Sequence, residues 1–389
     1  MKKYLMMAAV ASMALVGCVN EESENLTQQQ ARKISFDIPV MGTQSRAEYD
    51  DTWTGSGEIT GTEFPKSGSF DFAVFANMHD DNYTKWSDGK NFWDWTMSTD
   101  WNDIASGFNV RQFRYDETKD AFVCTSTEEY YYPNDYQLRF DAYAPLFAIS
   151  SVNVQCDDDG LTIKDYPSFS GSSWSAEQSS CYDLMYTGIT ESYTAETQPT
   201  NGVPLEFKHT LSSIAVVLNI PSGGEFIYEI NGVSINGTFV TEATFKENYN
   251  VQGKTAGWLT DAENSTSTEM TFSFPLPGED PDEEGKTSYT LNGGKTALLV
   301  IPQSVPESAS MTIAYTMHNN DYSEHHLFSK NIPLLDFKKE NDDPITTWEM
   351  ANRYIYIINF VQSERVPLKF NPTVVDWTDG GSAEYTITN

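Results

Sequence analysis

Lys33-Ile34-Ser35-Phe36-Asp37-Ile38-Pro39-Val40 is the stretch that decides the fold class. Ile34, Phe36, Ile38 and Val40 alternate with polar or proline positions, and a period of two puts all four on one side of an extended chain. The same pattern returns along the sequence. Further strands are expected at Ser69 to Ala76, Ala121 to Thr125, Gln137 to Tyr143, Leu161 to Lys164 and Leu184 to Thr187. In the second half they are expected at Leu205 to Lys208, Ile214 to Ile220, Phe226 to Ile235 and Met270 to Phe274. Ala297 to Ile301, Met311 to Met317, Tyr354 to Phe360 and Val374 to Trp377 complete the set. β-branched and aromatic residues dominate these runs, and Gly, Pro, Asn and Asp punctuate them. No stretch carries a convincing amphipathic helical period. The chain reads as all-β, built from sandwiches or barrels.

Ahead of the first strand, Lys2 and Lys3 precede an apolar run from Tyr4 to Val16, broken only by Ser12. The run is shorter than the roughly 20 apolar residues a membrane-spanning helix needs, but it has the length and flanks of a secretory signal. It ends Leu15-Val16-Gly17-Cys18, a small residue before cysteine, which is the form of a bacterial lipobox. Residues 1–17 are therefore expected to be removed and Cys18 to carry lipid. An ordinary signal peptide with an incidental cysteine is the competing reading. Residues 18–32, with Glu21, Glu22, Glu24 and three consecutive glutamines, read as a flexible tether. No later segment is long and apolar enough to span a membrane as a helix, so the expected attachment is by lipid.

A chain of 389 residues is too long for one small core. Two units are expected, 33–200 and 201–389, because Thr190 to Gly202 is polar and loses periodicity before Val203 restarts a strand pattern. Aromatic residues make up 13% of the sequence, enough to fill such cores, so its acidity does not mean disorder. With 56 acidic against 24 basic residues, the net charge of −32 excludes nucleic acid as a partner, which needs a basic footprint. Cys124, Cys156 and Cys181 remain beside Cys18, an odd number that fits one disulfide with a free thiol, or three thiols.

Catalytic chemistry finds little support. The five histidines, His79, His209, His318, His325 and His326, have no metal-ligand spacing. His325-His326 reads as a surface loop, and His209 as a satisfied histidine beside a strand. Asp157-Asp158-Asp159-Gly160 and the acids from Glu279 to Glu284 read as solvated turns, since the spacing of a calcium loop is lacking. No nucleophile elbow or phosphate-binding loop stands in its required context. The sequence implies no enzyme, no cofactor and no metal. Trp86, Trp93, Trp95 and Trp101 crowd into one loop-like stretch with Phe92. Exposed, they would stack on sugars or a partner surface; burial under a long loop is the simpler reading.

Several motifs, in order along nearly the whole chain, resemble the Bacteroidales fimbrillin-like family. They are the lipobox, the Ile34-Ser35-Phe36 strand followed by Thr43-Gln44-Ser45-Arg46-Ala47, and Tyr131-Tyr132-Pro133 with Leu138-Arg139-Phe140-Asp141-Ala142-Tyr143-Ala144-Pro145. Asp183-Leu184-Met185-Tyr186, Leu205 to Ser212, Leu299-Val300-Ile301-Pro302-Gln303, Trp348 to Tyr356 and Val374-Val375-Asp376-Trp377 continue the match. The resemblance implies two tandem transthyretin-like, Greek-key β-sandwich domains. It implies export as an outer-membrane lipoprotein, and assembly into a fimbria by strand donation between subunits. Arg46, followed by Ala47, resembles the family's processing site, and Val19 to Glu24 resembles a surface-export signal.

The sequence suits such an exchange. A cut after Arg46 would free the strand of Ile34, Phe36, Ile38 and Val40, leaving an edge that invites another strand. Val366, Leu368 and Phe370 alternate on one face, and Val375 and Trp377 begin another, as a donor strand requires. Burying about four such side chains contributes roughly 6–12 kcal/mol before the ordering entropy is subtracted. The other reading is that both segments are ordinary strands of a monomer. The expected partners are other fimbrial subunits and the outer membrane, with a host protein or glycan if the chain is instead a surface adhesin or glycan-binding lipoprotein.

Overall fold

The computed structural model describes residues 33–37, 71–79, 110–119, 121–125, 130–132, 137–146, 153–157, 160–167, 173–175, 183–220, 226–247, 256–274, 288–291, 298–338 and 343–360. Among these the regular structure is β, with a short 3-10 turn at Leu334–Asp336. The strands begin β1 (Phe36–Asp37), β2 (Asp71–His79), β3 (Val110–Asp116), β4 (Ala121–Cys124), β5 (Gln137–Ala144) and β6 (Val154–Asp157). They continue β7 (Gly160–Pro167), β8 (Ser173–Ser175), β9 (Met185–Tyr186), β10 (Val203–Pro204) and β11 (Lys208–His209). Next are β12 (Ser212–Asn219), β13 (Phe226–Glu247), β14 (Ala256–Leu259), β15 (Ser265–Phe274) and β16 (Ser288–Thr290). The last are β17 (Leu298–Val300), β18 (Gln303–Ser304), β19 (Ser310–Asn319), β20 (His325–Pro333), β21 (Thr347–Trp348) and β22 (Arg353–Asn359).

Six strands form one sheet in the order β11-β9-β5-β2-β3-β4. Its central strands are covered on both sides. Phe72, Val74, Ala76 and Met78 of β2 belong to one apolar cluster with Phe140 and Ala142 of β5. Ala73 and Phe75 face the opposite way, into a second cluster with Tyr143, Leu161, Ile163, Phe245 and Trp258. A strand buried on both faces needs an unbroken apolar run, and Phe72-Ala73-Val74-Phe75-Ala76 supplies it.

The third cluster fills a sandwich built from later residues. One layer is β12 flanked by β16, β17 and β22; the other is the sheet carrying β20-β19-β13-β15. Ile214, Val216 and Leu218 of β12 meet Val233, Ile235 and Phe239 of β13, with Met311, Ile313 and Tyr356. Trp348 is fully buried there, its ring stacked 5.5 Å from that of Phe239, and its Nε1–H donates to Tyr356 Oη at 2.9 Å.

Strand β13 runs for 22 residues, well past the segment from Phe226 to Ile235 that the alternation predicts. Two bulges let it serve two clusters. Tyr228 and Ile230 pack against the later sandwich, and so do Val233, Ile235 and Phe239, although the residue parity has changed. The register shift between Ile230 and Gly232 supplies the extra residue that makes this geometry work. Val240 faces the cluster behind the six-stranded sheet, and a second shift, between Val240 and Glu242, turns Ala243 and Phe245 to that same cluster. Four strand pairings join chain on the two sides of residue 200: β1–β10, β9–β11, β7–β13 and β8–β15.

His325 and His326 correct an expectation. They open β20, paired residue by residue with His318 and Met317 of β19, rather than forming a loop. Leu327, Phe328 and Ile332 later in the segment give it enough strand character, which two adjacent histidines concealed.

Replacing Trp348 by alanine removes a fully buried indole and strands the Tyr356 hydroxyl. Urea unfolding is expected to show about 3–5 kcal/mol lower stability for Trp348→Ala.

Candidate strand-exchange site

The first strand sits between two short neighbours. Phe36 and Asp37 pair in parallel with Val203 and Pro204, while Lys33 bridges antiparallel to Tyr131. The Ile34 amide donates to the Tyr130 carbonyl at 2.8 Å, and the Val203 amide donates to the Ser35 carbonyl at 2.8 Å. Gln198 Nε2 adds a donor to the Lys33 carbonyl at 3.3 Å. Each such bond makes a net contribution of about 1 kcal/mol.

Side chains hold it too. Ile34 and Phe36 are buried, at 7% and 9% exposure. The Phe36 ring meets Phe113 edge-on at 4.9 Å and Phe140 at 5.1 Å. Burial of the two contributes roughly 3–6 kcal/mol. Withdrawing the segment would leave an apolar slot beside Phe113, Phe140 and Tyr130, and would strip the Tyr130 carbonyl and Val203 amide of these bonds. Such an edge takes up another extended strand.

Of the other residues predicted to matter, Ile38, Val40, Cys18, Arg46 and Ala47 lie outside the described residues. So do Trp86, Trp93, Trp95 and Trp101, the segment with Val366, Leu368, Phe370, Val375 and Trp377, and Cys181. Cys124 and Cys156 are half-buried. His209 is satisfied by Asp183, with Nδ1 3.0 Å from Oδ1.

A buried acid pair escaped the sequence reading. Asp141 on β5 and Glu247 at the end of β13 are both buried. Glu247 Oε2 accepts the Leu161 amide at 3.0 Å, and Oε1 accepts the Ile189 amide at 2.9 Å. Each amide follows a glycine with positive φ, Gly160 at 97° and Gly188 at 81°. A side chain at position 160 would collide with the Glu247 carboxylate, so glycine there serves both turn and approach. Asp141 Oδ1 lies 3.5 Å from the Thr187 hydroxyl, and the Cys156 thiol points at Oδ2 from 3.8 Å. Burial, and then the charge of Glu247, hold the Asp141 carboxyl well above the usual carboxylate range. Nothing in sequence spacing links residues 141 and 247; they meet where the six-stranded sheet packs on the sheet that carries β13.

Among the described residues no group of three or more His, Cys, Asp or Glu is placed to hold a metal ion. No helix among them is long and apolar enough to cross a membrane.

The fimbrillin-like family profile matches residues 76–377. This chain belongs to that family. It is a fimbrial-type surface protein, of a structural rather than an enzymatic kind. Solved structures with a similar chain path include a proposed cell adhesion protein of Bacteroides uniformis, at 17% identity and TM-score 0.44, covering 89% of this chain and 99% of that one. Another, of Bacteroides ovatus, has 13% identity and TM-score 0.40, covering 88% and 94%. The tip fimbrial protein Mfa3 of Porphyromonas gingivalis, C-terminally truncated, has 7% identity and TM-score 0.33, covering 89% and 100%. No curated protein matches the chain significantly.

Two outcomes follow for this site. Phe36→Ala is expected to speed hydrogen exchange of the Val203 amide on the order of 100-fold by local opening, with the Ile235 amide unchanged. The folded state also retains a proton on Asp141 that the unfolded chain releases, so this pair lowers stability as pH rises from the ordinary carboxylate range through the raised value. Urea midpoints at pH 5 and pH 8 should differ less in Asp141→Asn than in the native chain.

Proposed function

We propose that the chain is a structural subunit of a cell-surface fimbria, lipid-anchored through Cys18 and assembled by strand exchange. The seating of the first strand carries this reading. Ile34 and Phe36 fill an apolar slot, and among the described residues the segment pairs with β10 over two positions and with Tyr131 over one. Proteolysis after Arg46 frees the segment, and the slot accepts a strand from a neighbouring subunit. Val366, Leu368 and Phe370, with Val375 and Trp377, have the alternation that the slot requires.

The proposal keeps two sandwich units, 33–200 and 201–389. It is supported by one large cluster drawn wholly from residues after 213 and another mostly from residues before 200. No observation in the described residues favours glycan binding by the Trp86–Trp101 stretch.

Electron microscopy of cells producing the chain tests the reading directly. Filaments are expected with the native chain and absent when residues 366–389 are deleted. Arg46→Ala should leave unprocessed, unpolymerised precursor. Filaments of normal length from the truncated chain would overturn the exchange.

A further inference from the structure

Four of the five large hydrophobic residues exposed among the described residues, Ile227, Tyr322, Leu327 and Phe328, gather at one corner of the later sandwich. Sheet register puts them together. Ile227 lies opposite His318, which lies opposite His325, and the Tyr322 ring is 5.0 Å from that of His318. Leu327 pairs with Thr316 on the outward face; Phe328 stacks 5.2 Å from Tyr315 on the inward one. Both belong to β20, which ends its sheet and, among the described residues, pairs with β19 alone. A nine-residue edge strand with leucine 78% exposed is what soluble proteins usually avoid.

We propose that this edge is a lateral self-association surface, where β20 pairs antiparallel with β20 of a second copy. The strand's own sequence selects the occupant. Paired about Ser329, it sets Phe328 opposite Lys330 of the second copy and Leu327 opposite Asn331. His326 meets Ile332, and His325 meets Pro333. No two cations face each other, each ammonium lies beside an aromatic ring, and the strand contains no acidic residue to clash with its copy. A two-fold axis makes every contact twice, the commonest form of oligomer interface. The two sheets then become one, and neither edge stays open. Strand donation involves other segments, so the lateral contact stands or falls separately from it.

The full chain in detergent provides the test. Ser329→Cys places a thiol on the two-fold axis, with Cα atoms about 4.5–5.5 Å apart, within disulfide reach. Mild copper–phenanthroline oxidation should give a covalent dimer. Leu327→Cys, displaced by four residues from its own copy, should give little, as should the native chain with its other cysteines. Sedimentation should show that Leu327→Lys weakens association about 10-fold or more; this exposed site tolerates lysine, which circular dichroism will verify. Equal cross-linking of both cysteine variants, or unchanged association of Leu327→Lys, would overturn the proposal. A monomer at all concentrations would do the same.

Discussion

One strand has to satisfy two cores, and the remaining architecture follows from how β13 does so. Alternation commits a strand to a single inward face, so a 22-residue strand would ordinarily serve one core and leave its other side wet. The bulges at Ile230/Gly232 and Val240/Glu242 break that commitment. Phe239 and Phe245, which plain alternation would put on one face, end up packed in different clusters. β15 and β19 flank the first part, β14 and β7 the second, so the strand is also the frame on which the sheet is assembled. At its far end Glu247 fastens two glycine-bearing loops, those of Gly160 and Gly188, to the same frame.

The all-β class was legible because burial on one face leaves a period of two, as at Ile34 and Phe36 or across Met311 to Met317. Failures of that reading have physical causes. β13 was seen only as far as Ile235, because Asn236-Gly237 has the composition of a hairpin turn. Here strands pair on both sides of that dipeptide. A Cβ on Gly237 would lie 3.1 Å from Ala309, so the glycine permits close packing instead of a reversal. β20 was missed because strand propensity reflects packing, and an open edge packs little. The acid pair was invisible because its members are distant in sequence and meet only where two sheets pack together.

The cores and the exchange site differ in kind. Phe239, Trp348 and Tyr356 interlock in a sandwich whose strands are long and multiply paired. Residues 34–36 occupy a slot through the buried side chains of Ile34 and Phe36 and, among the described residues, through short pairings with β10 and Tyr131. Under the proposed exchange, a subunit would stay folded while surrendering one element, and this unequal distribution suits that. Local opening then requires no loss of the rest. The family's structural role accords with a chain whose polar groups, such as His209 and Asp183, are spent on each other rather than poised for reaction.

The parallel pairing of β22 with β12 bears on mechanical strength. Seven consecutive residue pairs join them, from Ser213 with Arg353 to Asn219 with Asn359. The chain enters β12 from the earlier part of the molecule and leaves β22 at the opposite end. Tension along the polypeptide therefore slides the two strands past one another, loading every rung at once instead of peeling them in turn. A thread of such subunits would resist being drawn out by flow, and its first part to yield would lie elsewhere than in this seam.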